Sequence, residues 1–140
     1  MRSLKPLHLA AGIAGIVVFV LTGQYMAIFL NGLAGMPDGP RLLYRTSHLY
    51  LMWSSLVNLL VGFYFVPATT RGASIAQGAS SIMLLLGLPL LLLGFALEPK
   101  MAGIDRPFCS WANYLGIAGV VVHAIASRRT ENLSAREESA

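Results

Sequence analysis

Three histidines carry most of the chemistry this sequence has to offer: His8, His48 and His123. His8 opens the first apolar run and His123 lies near the end of the last. At helical spacing His8, Gly12, Gly15, Phe19 and Gly23 share one face, and Cys109, Ala112, Gly116, Gly119 and His123 share another. Two imidazoles at matching depth on glycine-lined faces are what a membrane haem b requires. The ring nitrogens ligate iron axially, and the absent side chains leave room for the porphyrin. The same residues have a plainer use, because small-residue stripes let helices approach closely and histidines settle at helix ends in the membrane interface.

A second group gathers at the other ends of the helices. Gln24 and Tyr25 close the first apolar run, while Arg41, Tyr44, Arg45 and His48 open the second. Glu98, Asp105 and Arg106 precede the fourth, which begins with Trp111, Asn113 and Tyr114. With Arg45 and His48 as donors beside Gln24 and Tyr25, this group could bind a quinone ring or an anionic lipid headgroup. Its plainer use is an aromatic belt with arginine–carboxylate pairs between connections.

The elements that position these residues follow from hydropathy. Of 140 residues, 56% are apolar and 11% charged, where a soluble domain carries about 25% charged residues. Residues 8–30 form an apolar run too long for a signal-peptide core. At roughly 1.5 Å per residue it spans a hydrocarbon layer of about 30 Å. The glycine- and proline-rich stretch Asn31 to Pro40 ends it. Residues 44–66, 74–97 and 108–127 follow as three further helices. Pro89 should kink the third, and the polar tail, residues 128–140, reads as disordered. Within the second, Arg45, His48, Met52, Ser55, Asn58 and Gly62 fall on one arc that should face other helices, with Ser55, Asn58, Ser80 and Ser81 as interhelical hydrogen-bonding groups.

Four runs joined by short connections predict an all-α, integral-membrane, up-down-up-down four-helix bundle over residues 1–127. Arg2, Lys5, Arg71, Arg128, Arg129 and Arg136 fall on the side of the termini, against Arg41, Arg45, Lys100 and Arg106 on the other. The positive-inside rule therefore puts both termini in the cytoplasm. The net charge of +4 speaks for lipid headgroups rather than nucleic acid.

The lone Cys109 excludes an internal disulfide and a Cys-x-x-Cys thiol oxidoreductase. No Asp, Glu, Lys or Arg lies within residues 9–30, 49–66, 74–97 or 108–122, which argues against an ion-coupled transporter. No hydrolase or phosphate-loop motif points to an enzyme.

The segments TGQYM (Thr22 to Met26), YRTSHLYL (Tyr44 to Leu51) and LEP (Leu97 to Pro99) resemble a pattern in short, uncharacterised bacterial inner-membrane proteins. That resemblance covers most of the chain and implies a four-helix membrane protein in which Gln24, Tyr25, Arg45 and His48 go together. It implies no activity. The expectation is a non-enzymatic inner-membrane protein working against the lipid bilayer, a partner membrane protein or a second copy. A haem b carrier is the alternative, and quinone or headgroup binding at Arg45 and His48 is compatible with either.

Overall fold

The computed structural model describes the backbone of residues 4–101 and 103–138, with side chains as far as residue 127. Among these residues every regular element is helical. The main elements are α1 (Lys5–Ile28), α2 (Asp38–Phe63), α3 (Arg71–Leu97) and α4 (Pro107–Glu138), with 3-10 turns at Asn31–Leu33 and Glu98–Lys100.

Local chemistry explains the ends. Pro6 sits in the first turn of α1, where its missing N–H is no loss. After α1 the backbone turns through three successive left-handed residues, Asn31, Gly32 and Leu33 (φ 49°, 63° and 67°). That conformation is uncommon for a leucine and is offset here by burying its side chain against Tyr44, Leu51, Phe95 and Cys109. The side-chain oxygen of Thr70 accepts from the Ala73 N–H (3.3 Å) and caps α3. α3 runs on through Pro89 as one element.

Two boundaries differ most from expectation, the others shifting by three residues or fewer. α2 starts at Asp38, six residues before the predicted position, because Asp38, Gly39 and Pro40 fill a first helical turn that needs no internal N–H donors. α4 continues to Glu138, so the polar tail expected to be disordered extends the helix. No glycine or proline after Gly119 interrupts it. Arg2 and the side chains of Arg128, Arg129 and Arg136, counted above for orientation, lie outside the described residues.

α1 packs along α2 and α3 along α4. The two pairs join through α2 and α3, while α1 and α4 barely meet. Close approach is set by glycine. A Cβ on Gly12 would stand 2.9 Å from the Leu59 backbone N, and one on Gly62 would stand 2.9 Å from that of Leu9. Neither position can carry a larger side chain without driving α1 and α2 apart.

Among the described residues three helical segments are long and apolar enough to cross a membrane: Lys5–Ile28, Arg71–Lys100 and Pro107–Ser127. The 26 residues of α2 have the length, but its Ser47, His48, Ser54, Ser55 and Asn58 make it less apolar than the other three. These groups lie where α2 meets its neighbours, and Ser47, Ser55 and Asn58 are buried.

Candidate functional site

The predicted residues fall into three places. At one end, His8 is wholly buried (0% exposed) and holds a partner on each ring nitrogen. The Asn58 amide nitrogen donates to the carbonyls of Ser54 (2.9 Å) and Leu84 (3.4 Å), which fixes the orientation of the amide. Asn58 Oδ1 therefore accepts from His8 Nδ1–H (2.8 Å). Nε2 is then the acceptor, and the Ser81 hydroxyl donates to it (2.9 Å). The adjacent Ser80 donates to the Gln77 carbonyl (2.9 Å), and its oxygen accepts from His123 Nδ1–H at 3.4 Å. The Phe65 ring lies by both imidazoles, with centroids 6.3 Å from His8 and 5.6 Å from His123.

An iron ligated by His8 would have to displace Asn58 or Ser81. Most glycines on the faces that could have made room for a porphyrin meet neighbouring helices, although Gly116 has no atom within 4 Å of an added Cβ. Gly12 and Gly15 lie against Leu59 and Ser55, and Gly119 lies against Leu84. The four mid-helix polar residues singled out in the sequence thus divide their roles. Asn58, Ser80 and Ser81 tether histidines, while Ser55 donates to its own helix at the Leu51 carbonyl (2.6 Å). Gln77 clamps the α2–α3 connection. Its amide donates to the Val66 carbonyl (2.6 Å) and its oxygen accepts from the Ala68 N–H (2.9 Å).

His48 is placed separately, on the α1–α2 seam. Its ring stacks on Phe19 with centroids 4.1 Å apart. The Thr22 hydroxyl donates to the Phe19 carbonyl (2.9 Å), so its oxygen accepts from His48 Nδ1–H (3.0 Å). Arg45 is exposed, with no ion pair or hydrogen bond of its side chain among the described residues, and Gln24 is likewise exposed. Tyr25 turns to the other side of Thr22. It meets Phe95 edge-on at 6.1 Å, and Phe95 in turn meets Tyr44 at 5.2 Å. Tyr25, Thr22, Tyr44 and Phe95 line a cleft of about 420 Å³ whose rim carries Lys100. Of the four residues expected to act together, the structure puts only Tyr25 on this cleft, with His48 behind it through Thr22.

The third place was anticipated only as charges at a common level. Glu98 is wholly buried (0% exposed) and reaches across to the start of α4. Its Oε1 accepts from the backbone N–H of Cys109 (2.8 Å), the third residue of α4, one of the donors a helix cannot satisfy internally. Its Oε2 faces Arg106 Nε at 3.6 Å, and neither atom has a hydrogen bond among the described residues. Arg106 also donates to the Ser47 hydroxyl (3.3 Å) and lies over the Tyr50 ring at 5.1 Å. The Cys109 thiol is 3.2 Å from Ser47 Oγ. The LEP segment had flagged Glu98 in the sequence, but nothing local showed that it would cap the following helix.

Among the described residues, no three His, Cys, Asp or Glu side chains gather to hold a metal ion. In comparisons with known proteins, no family model, curated protein or solved structure matches the chain.

Proposed function

We propose that the chain is a four-span protein of the bacterial inner membrane, an up-down-up-down bundle with both termini cytoplasmic. In this reading it acts without catalysis, by packing against lipid, a partner membrane protein or a second copy. The observation that carries this is the inverted distribution of polarity. Large apolar side chains are exposed on all four helices, among them Ile13, Val20, Leu60, Ile82, Ile117 and Ile125. His8, Ser47, Ser55, Asn58, Ser80 and Glu98 are buried. Water would penalise both halves of that arrangement, and a hydrocarbon solvent favours both.

In this setting α2 counts as a crossing, because from residue 46 onward its exposed positions are Leu49, Trp53, Leu56, Leu60 and Phe63, and Ser47, Ser55 and Asn58 are buried. The likeness of TGQYM, YRTSHLYL and LEP to short bacterial inner-membrane proteins supports the same reading.

Fractionation after alkaline carbonate washing tests insertion, and the expected result is retention in the membrane pellet. Fusing green fluorescent protein to the C-terminus should give fluorescence, whereas alkaline phosphatase placed in the 31–37 connection should be active. The reverse pattern overturns the orientation.

The haem b reading through His8 and His123 has less support, since both His8 nitrogens are already engaged. A purified preparation showing sharpened α and β bands on dithionite reduction would restore it. Headgroup binding at Arg45 and His48 keeps one favourable observation, the unpaired and exposed Arg45 guanidinium. Copurifying lipid that changes with Arg45→Ala would support it.

A further inference from the structure

We infer that the cleft between α1, α2 and α3 is a site for one anionic phospholipid, an inference that rests on the membrane reading above. The cleft exists because α1 and α3 both pack on α2 while touching each other little. Its walls are apolar, from Val18 and Leu21 on one side to Leu92 and Phe95 on the other. At about 420 Å³ it has room for the upper part of an acyl chain.

Two polar features at its outer end define the occupant. Tyr44 lines the cleft and is only 6% exposed, and its hydroxyl forms no hydrogen bond among the described residues. A phenol without a partner beside an apolar cleft calls for an acceptor, and in a lateral membrane cleft a lipid ester carbonyl supplies one. At the rim, Lys100 is exposed at the end of the 3-10 turn that follows α3, and its ammonium has no ion pair or hydrogen bond among the described residues. A cation at headgroup level beside an apolar cleft selects a phosphodiester whose charge no internal ammonium cancels. A quinone would use Tyr44 but has no need of Lys100, so the pair favours the acidic lipid.

The test is native mass spectrometry of the full chain in a neutral detergent. Phosphatidylglycerol and phosphatidylcholine with identical acyl chains are titrated in turn. One phosphatidylglycerol should be retained about tenfold more strongly, the size expected for a charge-assisted contact. Lys100→Gln should erase that preference and Lys100→Arg should keep it. Tyr44→Phe should weaken both lipids by about fivefold, since the ester carbonyl is common to them. Ala96→Trp, at an exposed position lining the cleft, should abolish retention by filling it. Circular dichroism and gel filtration check that each variant folds.

Equal retention of the two lipids overturns the site, as does a preference that survives Lys100→Gln. Solvent extraction yielding a stoichiometric quinone in place of phospholipid also overturns it. A chain that leaves the membrane under carbonate washing fails at the earlier reading, and the lipid site falls with it. A chain that stays in the membrane but shows no lipid preference refutes the site alone.

Discussion

The two ends of the bundle solve the burial of polar groups in different ways. At the His8 end the groups are neutral, and each hydrogen bond joins a side chain to one on another helix or to a nearby carbonyl. At the Glu98 end a carboxylate and a guanidinium are buried together, and the carboxylate also satisfies the start of α4. A neutral network loses one modest bond when a member is removed. A buried ion pair loses little when both members go but much when one is left behind. The ends should therefore respond very differently to single substitutions.

The largest effect is expected at the charged end. Glu98→Gln keeps the shape but leaves Arg106 uncompensated. The cost should be about 3 kcal/mol, at the lower edge of the range for buried pairs because 21% of the Arg106 side chain stays exposed. Adding Arg106→Met should recover a good part of it. Unfolding in mixed micelles measures both, and a Glu98→Gln variant as stable as the parent would remove the distinction between the ends.

Next comes the α1–α2 contact that frames the neutral end. Gly62→Leu places a side chain where a Cβ already meets the Leu9 backbone at 2.9 Å, and should cost about 2 kcal/mol through overpacking. Gly116, with no atom within 4 Å of a Cβ, should accept alanine with no measurable loss. Asn58→Leu removes the partner of His8 Nδ1 and should cost about 1 kcal/mol, a typical interhelical hydrogen bond in a membrane. Nitrogen-15 spectra of labelled histidine should show His8 as the neutral tautomer with the proton on Nδ1. The opposite tautomer would mean that the Asn58 amide is turned round.

How much of this could be read from the sequence differs between the ends in the same way. The apolar runs show the four helices plainly, because length and hydropathy are local properties. The arc holding Ser55, Asn58 and Gly62 is buried as its spacing implies, while Arg45 at its start is exposed although Leu43, Tyr44 and Ser47 around it are buried. Asn58, Ser80 and Ser81 were recognisable as interhelical groups, but His8 and His123 were not recognisable as their partners. Pairing across 50 or 73 residues depends on helix rotation and offset, which no spacing within one helix reveals. Glu98 was legible still less. Its partners lie across a turn of irregular backbone, where periodicity says nothing about direction. The early start of α2 was hidden because Pro-Asp-Gly-Pro has the composition of a loop, although a first helical turn tolerates the same residues.

The smallest effect sharpens the contrast most directly, because Cys109 sits inside the charged end as its own probe. The thiol is 1% exposed and lies 3.2 Å from the Ser47 hydroxyl, a weak hydrogen bond, so Cys109→Ala should cost at most about 1 kcal/mol. In the parent, a maleimide should react slowly in mild detergent and fast once sodium dodecyl sulfate unfolds the chain. Glu98→Gln should speed the reaction in mild detergent, because the amide still accepts from the Cys109 N–H but leaves Arg106 uncompensated, which loosens the turn that buries the thiol. Asn58→Leu, at the far end, should leave the rate unchanged if the two ends open independently. Equal acceleration by both substitutions would mean that the bundle opens as one unit, and the difference between its ends would then be chemical without being energetic.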